Sequence, residues 1–414
     1  MMNQHFDVAI IGAGAAGVAA ARTIFDAGRS AILIEASQRV GGRAWTQTLS
    51  GLPLDLGCGW FHSAERNPLV GLAEANGFSV LRGPTAWREQ YRDLGFPPED
   101  QRAANAAFEG FLHRLEHDPP ASDCAADALE PGGRWNAYLD ALSGYINGAS
   151  LAQLSVADYL AYDEAASEHN WRLPQGYGTL IAALLPPIPL KLGTPVTRID
   201  HGGEVLRLET PSGSLSVSAV ILAVPPTVLA SGAISFTPAI DDHCHAAAHL
   251  PLGLADKIFL ALRDGHGLES ETHLLGNPSS RCTGSYYIMP MGRPVIECFL
   301  GGGCAEALEQ EGLDAAFAFA VEELTQLLGT RIRTRLYFLA GTAWRKADWI
   351  HGSYSHALPG HASSRGMLAA PVDGRLFFAG EATHVTDYST AHGAWESGVR
   401  AAAEALACLA LRSK

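Results

Sequence analysis

Three glycines near the N-terminus have the spacing needed to bind a phosphate-containing ligand. The apolar run at residues 8–11 predicts a buried parallel strand, and Gly12, Gly14 and Gly17 follow it in G-x-G-x-x-G order. In this pattern Gly12 permits a tight turn, Gly14 lets a pyrophosphate approach the backbone, and Gly17 lets the next helix pack on the strand. The alanine-rich stretch at residues 15–27 predicts that helix, with its N-terminus facing the phosphates.

An acidic residue stands where a ribose ligand is expected. Residues 31–34 predict a second buried strand, which ends at Glu35, 23 residues after Gly12. An acid at this distance typically accepts a hydrogen bond from the 2′-hydroxyl of a ribose. The unit therefore predicts dinucleotide binding and leaves open whether the ligand is NAD or FAD.

A second glycine turn near the C-terminus favours the longer of these ligands. Residues 375–379 predict a strand that runs into Gly380 and Glu381, and residues 391–411 predict a long helix after it. A second helix N-terminus at the ligand would stabilise negative charge on a reduced isoalloxazine. NAD enzymes do not need this turn, whereas an FAD lying across the domain does.

Two loops between these turns can also approach a ligand closely. A double glycine that ends at Gly42 precedes Arg43, and an arginine there can pair with phosphate. Further along, Gly57 and Gly59 allow close approach, and the aromatic Trp60 follows at once.

The composition describes a well-buried globular enzyme of more than one domain. Of its residues, 47% are hydrophobic and 17% are charged, which fits a globular enzyme with a large buried core. A chain of 414 residues is longer than a single hydrophobic core usually supports, so we expect two domains. Its net charge of −14 disfavours nucleic acid and anionic membranes as partners. The first strand begins by residue 7, which leaves no room for a signal peptide, and no apolar run reaches the ~18 residues of a membrane span.

The cysteines and histidines predict neither a disulfide nor a metal site. The seven cysteines are odd in number and scattered, which is typical of free thiols in a reducing cytoplasm. His243 and His245 flank Cys244 but lack further ligands at a useful spacing, so we expect no metal.

The order of the elements predicts an α/β fold in which both ends of the chain build the nucleotide-binding domain. Residues 84–175 are richer in charge and in helix-forming residues, and short strands follow from Gly176. We therefore expect nucleotide-binding segments at 1–83, 176–230 and 366–414, a helical segment of the substrate domain at 84–175, and its sheet segment at 231–365.

Nearly end to end, the sequence resembles the flavin-containing amine oxidases, which include monoamine and polyamine oxidases. The resemblance rests on the glycine units above, on the Leu-Gly-x-x-Trp-aromatic-His block at 56–62, on Gly-Ser-Tyr-Ser at 352–355, and on the Phe-Ala-Gly-Glu-Ala-Thr-His block at 378–384. Tyr-Ser-Thr-x-His-Gly at 388–393 is closest to the polyamine and spermine oxidase branch. The resemblance implies a glutathione-reductase-like FAD-binding Rossmann domain in several segments, joined to a substrate domain with a mixed sheet and helices.

The resemblance also implies a set of flavin-contacting residues. These are Gly12, Gly14, Ala16, Gly17, Glu35, Ala36, Gly42, Arg43, Gly57, Gly59, Trp60, Val196, Trp344, Gly380, Glu381, Thr390 and Ala391. The cysteine that links flavin covalently in monoamine oxidases would fall at Ser353, so we expect non-covalent FAD. The proline that usually follows Trp344 in this family is replaced by Asp348, which puts the local loop shape in doubt.

Four residues carry the catalytic roles that the resemblance implies. Lys257 matches the lysine whose ammonium holds a water against flavin N5. Tyr354 matches one wall of an aromatic cage, and Thr390 stands where monoamine oxidases have the second tyrosine. His62 matches the polyamine-branch histidine beside the flavin, where it could bind or deprotonate a substrate nitrogen and contribute to a rise of kcat/KM with pH. For His62, a purely structural role stays open.

The implied reaction is oxidation of a C–N bond of a small amine, such as a polyamine or another secondary amine. A hydride leaves to flavin N5, the imine is hydrolysed to an aldehyde and an amine, and O₂ is reduced to hydrogen peroxide. The alternatives are an amine or amino-acid dehydrogenase or desaturase of the same superfamily, or a non-catalytic flavoprotein. We expect a cytoplasmic monomer or homodimer that binds neither nucleic acid nor membrane. Candidates for holding distal amines are Asp158, Asp163, Glu164 and Glu168.

Overall fold

The computed structural model describes residues 5–87, 89–263 and 267–412. Its strands are β1 (Phe6–Ile11), β2 (Ala31–Ile34), β3 (Thr46–Leu49), β4 (Leu52–Asp55), β5 (Trp60–Phe61), β6 (Trp171–Arg172), β7 (Leu190–Lys191), β8 (Arg198–Asp200), β9 (Leu206–Thr210), β10 (Gly213–Leu222), β11 (Ser235–Thr237), β12 (Ala255–Leu262), β13 (Thr272–Leu275), β14 (Ser285–Ile288), β15 (Val295–Gly301), β16 (Leu336–Gly341) and β17 (Leu376–Phe378). Its α-helices are α1 (Ala15–Asp26), α2 (Pro68–Ala75), α3 (Pro98–His117), α4 (Asn136–Asn147), α5 (Val156–Ala165), α6 (Tyr177–Ala183), α7 (Pro226–Ala230), α8 (Asp241–Ala248), α9 (Gly302–Glu311), α10 (Leu313–Leu328), α11 (Ser364–Ala369) and α12 (Ala391–Arg412).

The first sheet has its parallel strands at the centre. Its order is β11-β8-β9-β10-β1-β2-β7, and β17 pairs with the end of β10. β1 runs parallel to both β2 and β10 and is buried on both faces, which explains why residues 8–11 form an uninterrupted apolar run. Ligands of such sheets bind beyond the carboxyl ends of the strands.

The first and last helices pack closely on this sheet. A Cβ at Gly17 would lie 1.8 Å from the carbonyl oxygen of Gly12, and a Cβ at Gly398 would lie 2.1 Å from that of Ala16. Both positions therefore accept only glycine at this distance between backbones. The contact brings the C-terminal helix α12 against the helix that follows the phosphate turn, so both ends of the chain build one domain.

The second sheet has the order β13-β14-β15-β12-β16 and is antiparallel throughout. One face carries apolar side chains such as Ile258, Leu260 and Ile296, which pack with α9 and α10 in one core cluster. The opposite face lines a cavity. The two sheets together confirm the predicted fold class; the domain boundaries at 83, 175, 230 and 365 stay predictions.

The segment between β5 and β6 is largely helical, with α3, α4 and α5 as its main elements. Residues from these three helices line the cavity that the second sheet also faces. Among the described residues no helix is long and apolar enough to cross a membrane.

The prediction that every cysteine is a free thiol is wrong. Cys282, in the loop before β14, forms a disulfide with Cys304 in α9, and their Cα atoms are 4.6 Å apart. The other five cysteines are free. The pair is 22 residues apart in sequence and meets because α9 packs behind the sheet, which spacing alone does not reveal. The cysteines therefore give no support to a reducing compartment, and the cytoplasmic location stays a prediction.

Candidate active site

A cavity of about 1310 Å³ runs from the carboxyl ends of the parallel strands to the helical segment. Near one end it is lined by Gly12 after β1, Glu35 after β2 and Val224 after β10. Lys257 of β12 and Phe108 of α3 line other parts of it. Its volume exceeds the roughly 300–1,000 Å³ of typical ligand pockets, so it has room for a large ligand and a second, smaller molecule.

The phosphate turn fits a ligand that approaches the backbone. Gly12 has a φ of 99°, which favours glycine. A Cβ at Gly14 would have Gly41 O and Gly42 Cα as its nearest neighbours, both 3.9 Å away, so a larger side chain there would grow into the cavity. The first amides of α1 have no partner within the helix and are available to phosphate oxygens.

An arginine that sequence reasoning missed also faces this part of the cavity. Arg39 lines it, and its buried Nη1 has no hydrogen-bond partner among the described residues. The guanidinium lies 4.7 Å from the Trp45 ring, and burial lowers the pKa of Arg39. A half-buried cation with an unused, buried donor suits a phosphate oxygen. In the sequence, the position of Arg39 between Glu35 and the double glycine could have indicated this role.

Glu35 lines the cavity and also stabilises the phosphate turn through hydrogen bonds. Its carboxylate accepts hydrogen bonds from the amides of Ala13 at 2.7 Å and Ser37 at 2.8 Å. Each oxygen retains a second lone pair, so these bonds leave room for a hydroxyl donor. The ribose contact stays a prediction. The sequence did not indicate that Glu35 would also stabilise the turn by hydrogen bonds to backbone amides.

Glu381 and Arg43, both predicted to contact the cofactor, pair with each other at 2.8 Å. Arg43 also donates to the carbonyl of Ser353, and Glu381 accepts from the Ser355 hydroxyl and the Ser389 amide. Burial alone would raise the pKa of Glu381, but the nearby arginines bring it below its usual value. The ion pair thus ties the second glycine turn to the loop that follows β2.

Lys257 lies in the cavity wall on β12 and is 7% exposed. Its ammonium forms an ion pair with Glu297 at 2.8 Å and donates to the carbonyl of Asp55 at 2.9 Å. A Cβ at Gly59 would lie 3.7 Å from the ammonium nitrogen, so this glycine leaves space beside the charge. The structure therefore brings the predicted lysine to the same cavity as the phosphate turn.

His62, Tyr354 and Thr390 line the cavity too, and hydrogen bonds hold each side chain in place. His62 Nδ1 lies 2.6 Å from Asn170 Oδ1, and burial lowers the pKa of His62 to about 4. The Tyr354 hydroxyl donates to the carbonyl of Tyr145 at 2.5 Å. The Thr390 hydroxyl accepts from the amide of Gly393, and so caps the start of α12.

An aromatic cluster closes the cavity on the side of Trp60. The Trp60 ring packs edge to face against Trp87 at 4.6 Å and against Tyr287 at 6.0 Å, and Arg172 lies over Trp60 at 4.7 Å. Sequence reasoning missed Trp87, Tyr287 and Arg172, because nothing in their local pattern shows that they meet.

The remaining predicted cofactor residues divide into two groups. Most line the cavity, namely Ala16, Ala36, Gly42, Gly57, Val196, Trp344, Gly380 and Ala391. Gly17 is different, because it lies behind the turn and serves helix packing.

The four acidic residues expected to hold distal amines lie in different environments. Asp158 is buried and pairs with Arg365 at 2.5 Å, so its suggested substrate contact is wrong. Asp163 and Glu168 are exposed and line the cavity, whereas Glu164 is exposed outside its lining.

A cluster of His384, Asp387 and Glu396 has ligand atoms close enough to hold a metal ion. Its geometry is accounted for by hydrogen bonds. His384 Nδ1 accepts from the amide of Asp387 at 2.9 Å, and Nε2 lies 3.2 Å from Glu396. The expectation of no metal stays a prediction.

Comparison with known proteins identifies the family. The family model described as "Flavin containing amine oxidoreductase" matches residues 15–143 and 97–406. The chain is 28% identical over 438 residues to "Polyamine oxidase 2" of Arabidopsis thaliana, covering 97% of this chain and 88% of the relative. The chain therefore belongs to the flavin-containing amine oxidoreductases, is an amine oxidase, and has FAD as its cofactor.

Solved structures show the same fold. A putrescine oxidase bound to putrescine superposes with a TM-score of 0.79 at 22% identity, covering 98% of this chain and 99% of that one. Cyclohexylamine oxidase from Brevibacterium oxydans IH-35A gives 0.78 at 21% identity, covering 99% and 100%.

Proposed function

We propose that this protein oxidises a C–N bond of a small amine, passes the electrons to O₂ and forms hydrogen peroxide. The observation that carries the proposal is the Lys257 ammonium, which faces the same cavity as the phosphate turn and the Tyr354 wall. Bound FAD would take a hydride from the carbon beside the amine nitrogen, and water would hydrolyse the resulting imine to an aldehyde and an amine.

The chain's own residues bind and orient the amine. Because Asn170 Oδ1 is an acceptor, His62 donates from Nδ1, and its neutral Nε2 can accept a hydrogen bond from a substrate N–H. With its pKa near 4, His62 stays neutral at neutral pH and does not repel a cationic amine. The ring of Tyr354 forms one wall, and the short Thr390 leaves room for a substituent on the nitrogen.

The substrate class that we propose is a polyamine or another secondary amine. The part of the cavity lined by the helical segment and β15 has apolar and aromatic side chains, among them Phe108, Tyr145 and Phe299, which suits a methylene chain. Carboxylates of Glu109 and Asp163 are exposed along this part, where they can attract distal ammonium groups. The similarity to a plant polyamine oxidase supports the same class.

Anaerobic mixing of the holoenzyme with a panel of mono-, di- and polyamines tests the proposal. We expect the flavin absorbance to bleach with a subset of these amines, and we expect one peroxide per amine oxidised when oxygen is readmitted. Bleaching without peroxide would indicate a dehydrogenase. No bleaching by any amine would indicate a flavoprotein that binds without oxidising amines.

A further inference from the structure

We propose that Glu297 is a positioning residue for Lys257: its carboxylate is the ion-pair partner of the lysine and holds the ammonium in place in the cavity wall. The link to flavin chemistry rests on the proposed function. The ion pair itself does not, and it can be tested separately.

The register of the second sheet places the two side chains on one face. Lys257 lies opposite Phe299 on β15, and Phe259 lies opposite Glu297. Residues two apart on a strand share a face, so Lys257 and Glu297 are diagonal neighbours on the cavity side. All four of these residues line the cavity.

Glu297 and a backbone carbonyl account for two of the three ammonium donors. Nζ lies 2.8 Å from Glu297 Oε1 and 2.9 Å from the carbonyl oxygen of Asp55. One N–H donor is left for the cavity, which is where a water or a cofactor atom would lie. Two fixed partners give this third donor a defined direction, which a lysine held by one partner would lack.

Two other acidic groups, Asp55 and Cys58, interact with Lys257 at longer range than Glu297. Burial raises the pKa of Asp55 to about 6, and its carboxylate accepts from the Thr46 hydroxyl at 2.5 Å and the Tyr177 amide at 2.9 Å. Burial also raises the pKa of Cys58 to about 12, so the thiol stays neutral.

The cations near the pair have partners of their own. Arg293 donates to the carbonyls of Pro53 and Pro174, both at 2.6 Å, and Arg172 forms an ion pair with Glu271. Glu297 is thus the carboxylate within ion-pair distance of Lys257 among the described residues. Without it, the largely buried ammonium would lose its ion-pair partner, which favours the neutral amine.

Chemical labelling of the holoenzyme tests the pair without any turnover. The sequence has four lysines, and the exposed Lys191 provides an internal reference. We would treat wild type and Glu297→Gln with limiting acetic anhydride at pH 8 and measure the acetylation of Lys257 relative to Lys191 by peptide mass spectrometry. Only the neutral amine reacts, so we expect the ratio to rise on the order of 10-fold in Glu297→Gln.

Two further variants control for folding and for general charge loss. Glu297→Asp keeps the carboxylate, and we expect a ratio near that of wild type. Glu271→Gln removes a carboxylate that pairs with Arg172, and the Lys257 ratio should not change. Unchanged Lys257 acetylation in Glu297→Gln, or an equal rise in Glu271→Gln, would overturn the proposal.

Kinetics then show whether the pair acts at the reaction. For Glu297→Gln with full FAD content we expect KM to stay near wild type and kcat to fall on the order of 10-fold. If no amine reduces the wild-type flavin, the proposed function fails, while the acetylation ratio still decides whether Glu297 holds Lys257.

Discussion

Gly398 in the last helix lies against the carbonyl of Ala16 in the first turn of α1: a Cβ at position 398 would be 2.1 Å from that oxygen. The contact joins residues 382 positions apart at the place where α1 begins beside the phosphate turn. The C-terminal helix thus helps to fix the first amides of α1, which are the groups that a phosphate would use.

Replacing Gly398 by alanine should therefore destabilise the protein and weaken its hold on FAD. The new methyl group must push two backbones apart, which typically costs about 1–3 kcal/mol in the free energy of unfolding. Thermal unfolding and flavin retention on gel filtration measure both effects. Gly71→Ala is the matched control, because this helical glycine is exposed and no described atom lies within 4 Å of the added methyl. Equal stability of the two variants would show that α1 and α12 are not closely packed.

Replacing Gly14 by valine should abolish FAD binding and leave the fold intact. The nearest described atoms to a Cβ at this position are 3.9 Å away, so the branched side chain fits the protein but fills the space where phosphate must approach. Circular dichroism should match wild type while the purified protein is colourless. A yellow Gly14→Val protein with normal flavin content would contradict the assignment of the phosphate turn.

Acid precipitation should release the flavin from the polypeptide. Ser353 stands where a linking cysteine would be, and its buried hydroxyl donates to the carbonyl of Ala255 at 2.8 Å. A hydroxyl so placed cannot form the thioether that a cysteine forms. After precipitation with trichloroacetic acid we expect the yellow colour in the supernatant. Colour that stays in the washed pellet would show a covalent bond elsewhere, for which the cavity-lining Cys58 would be the first residue to examine.

The pH dependence of kcat/KM should report the substrate amine and not His62. Hydride removal needs a neutral nitrogen, so we expect kcat/KM to rise as pH increases toward the pKa of the amine. Burial holds the pKa of His62 near 4, and the ring is therefore already neutral at pH 6 and above. This revises the expectation from sequence that His62 contributes to the rising limb. His62→Asn should lower kcat/KM while the midpoint of the limb stays, and a shifted midpoint would show that His62 titrates there.

The sequence predicted which residues line the site better than it predicted their partners. The glycine spacing led to the phosphate turn, and the resemblance to the amine oxidases led to Lys257 and Tyr354. Glu297 could not be found in this way, since its contact with Lys257 depends on the register of β12 against β15. The Cys282–Cys304 disulfide was missed for the same reason: two elements distant in sequence pack together.

Removing the ammonium itself gives the strongest test of the site. Lys257→Met keeps the length and apolar packing of the side chain but removes every N–H donor, and it leaves Glu297 without its partner. FAD should still bind, because the phosphate turn and Arg39 lie at another part of the cavity. A lost charged hydrogen bond corresponds to roughly 1.5–3 kcal/mol, so flavin reduction by amine, reoxidation by O₂, or both should slow on the order of 10-fold or more.

Stopped-flow measurement of the two half-reactions shows which step needs the ammonium. A double variant separates the effect of the lost ammonium from the effect of the unpaired Glu297 carboxylate. In Lys257→Met with Glu297→Leu the unpaired carboxylate is gone, so we expect thermal stability to recover while the slow half-reaction stays slow. If Lys257→Met matched wild type in both half-reactions at full FAD occupancy, the ammonium would have no part in the chemistry, and the roles carried over from amine oxidases to this cavity would be wrong at their central residue.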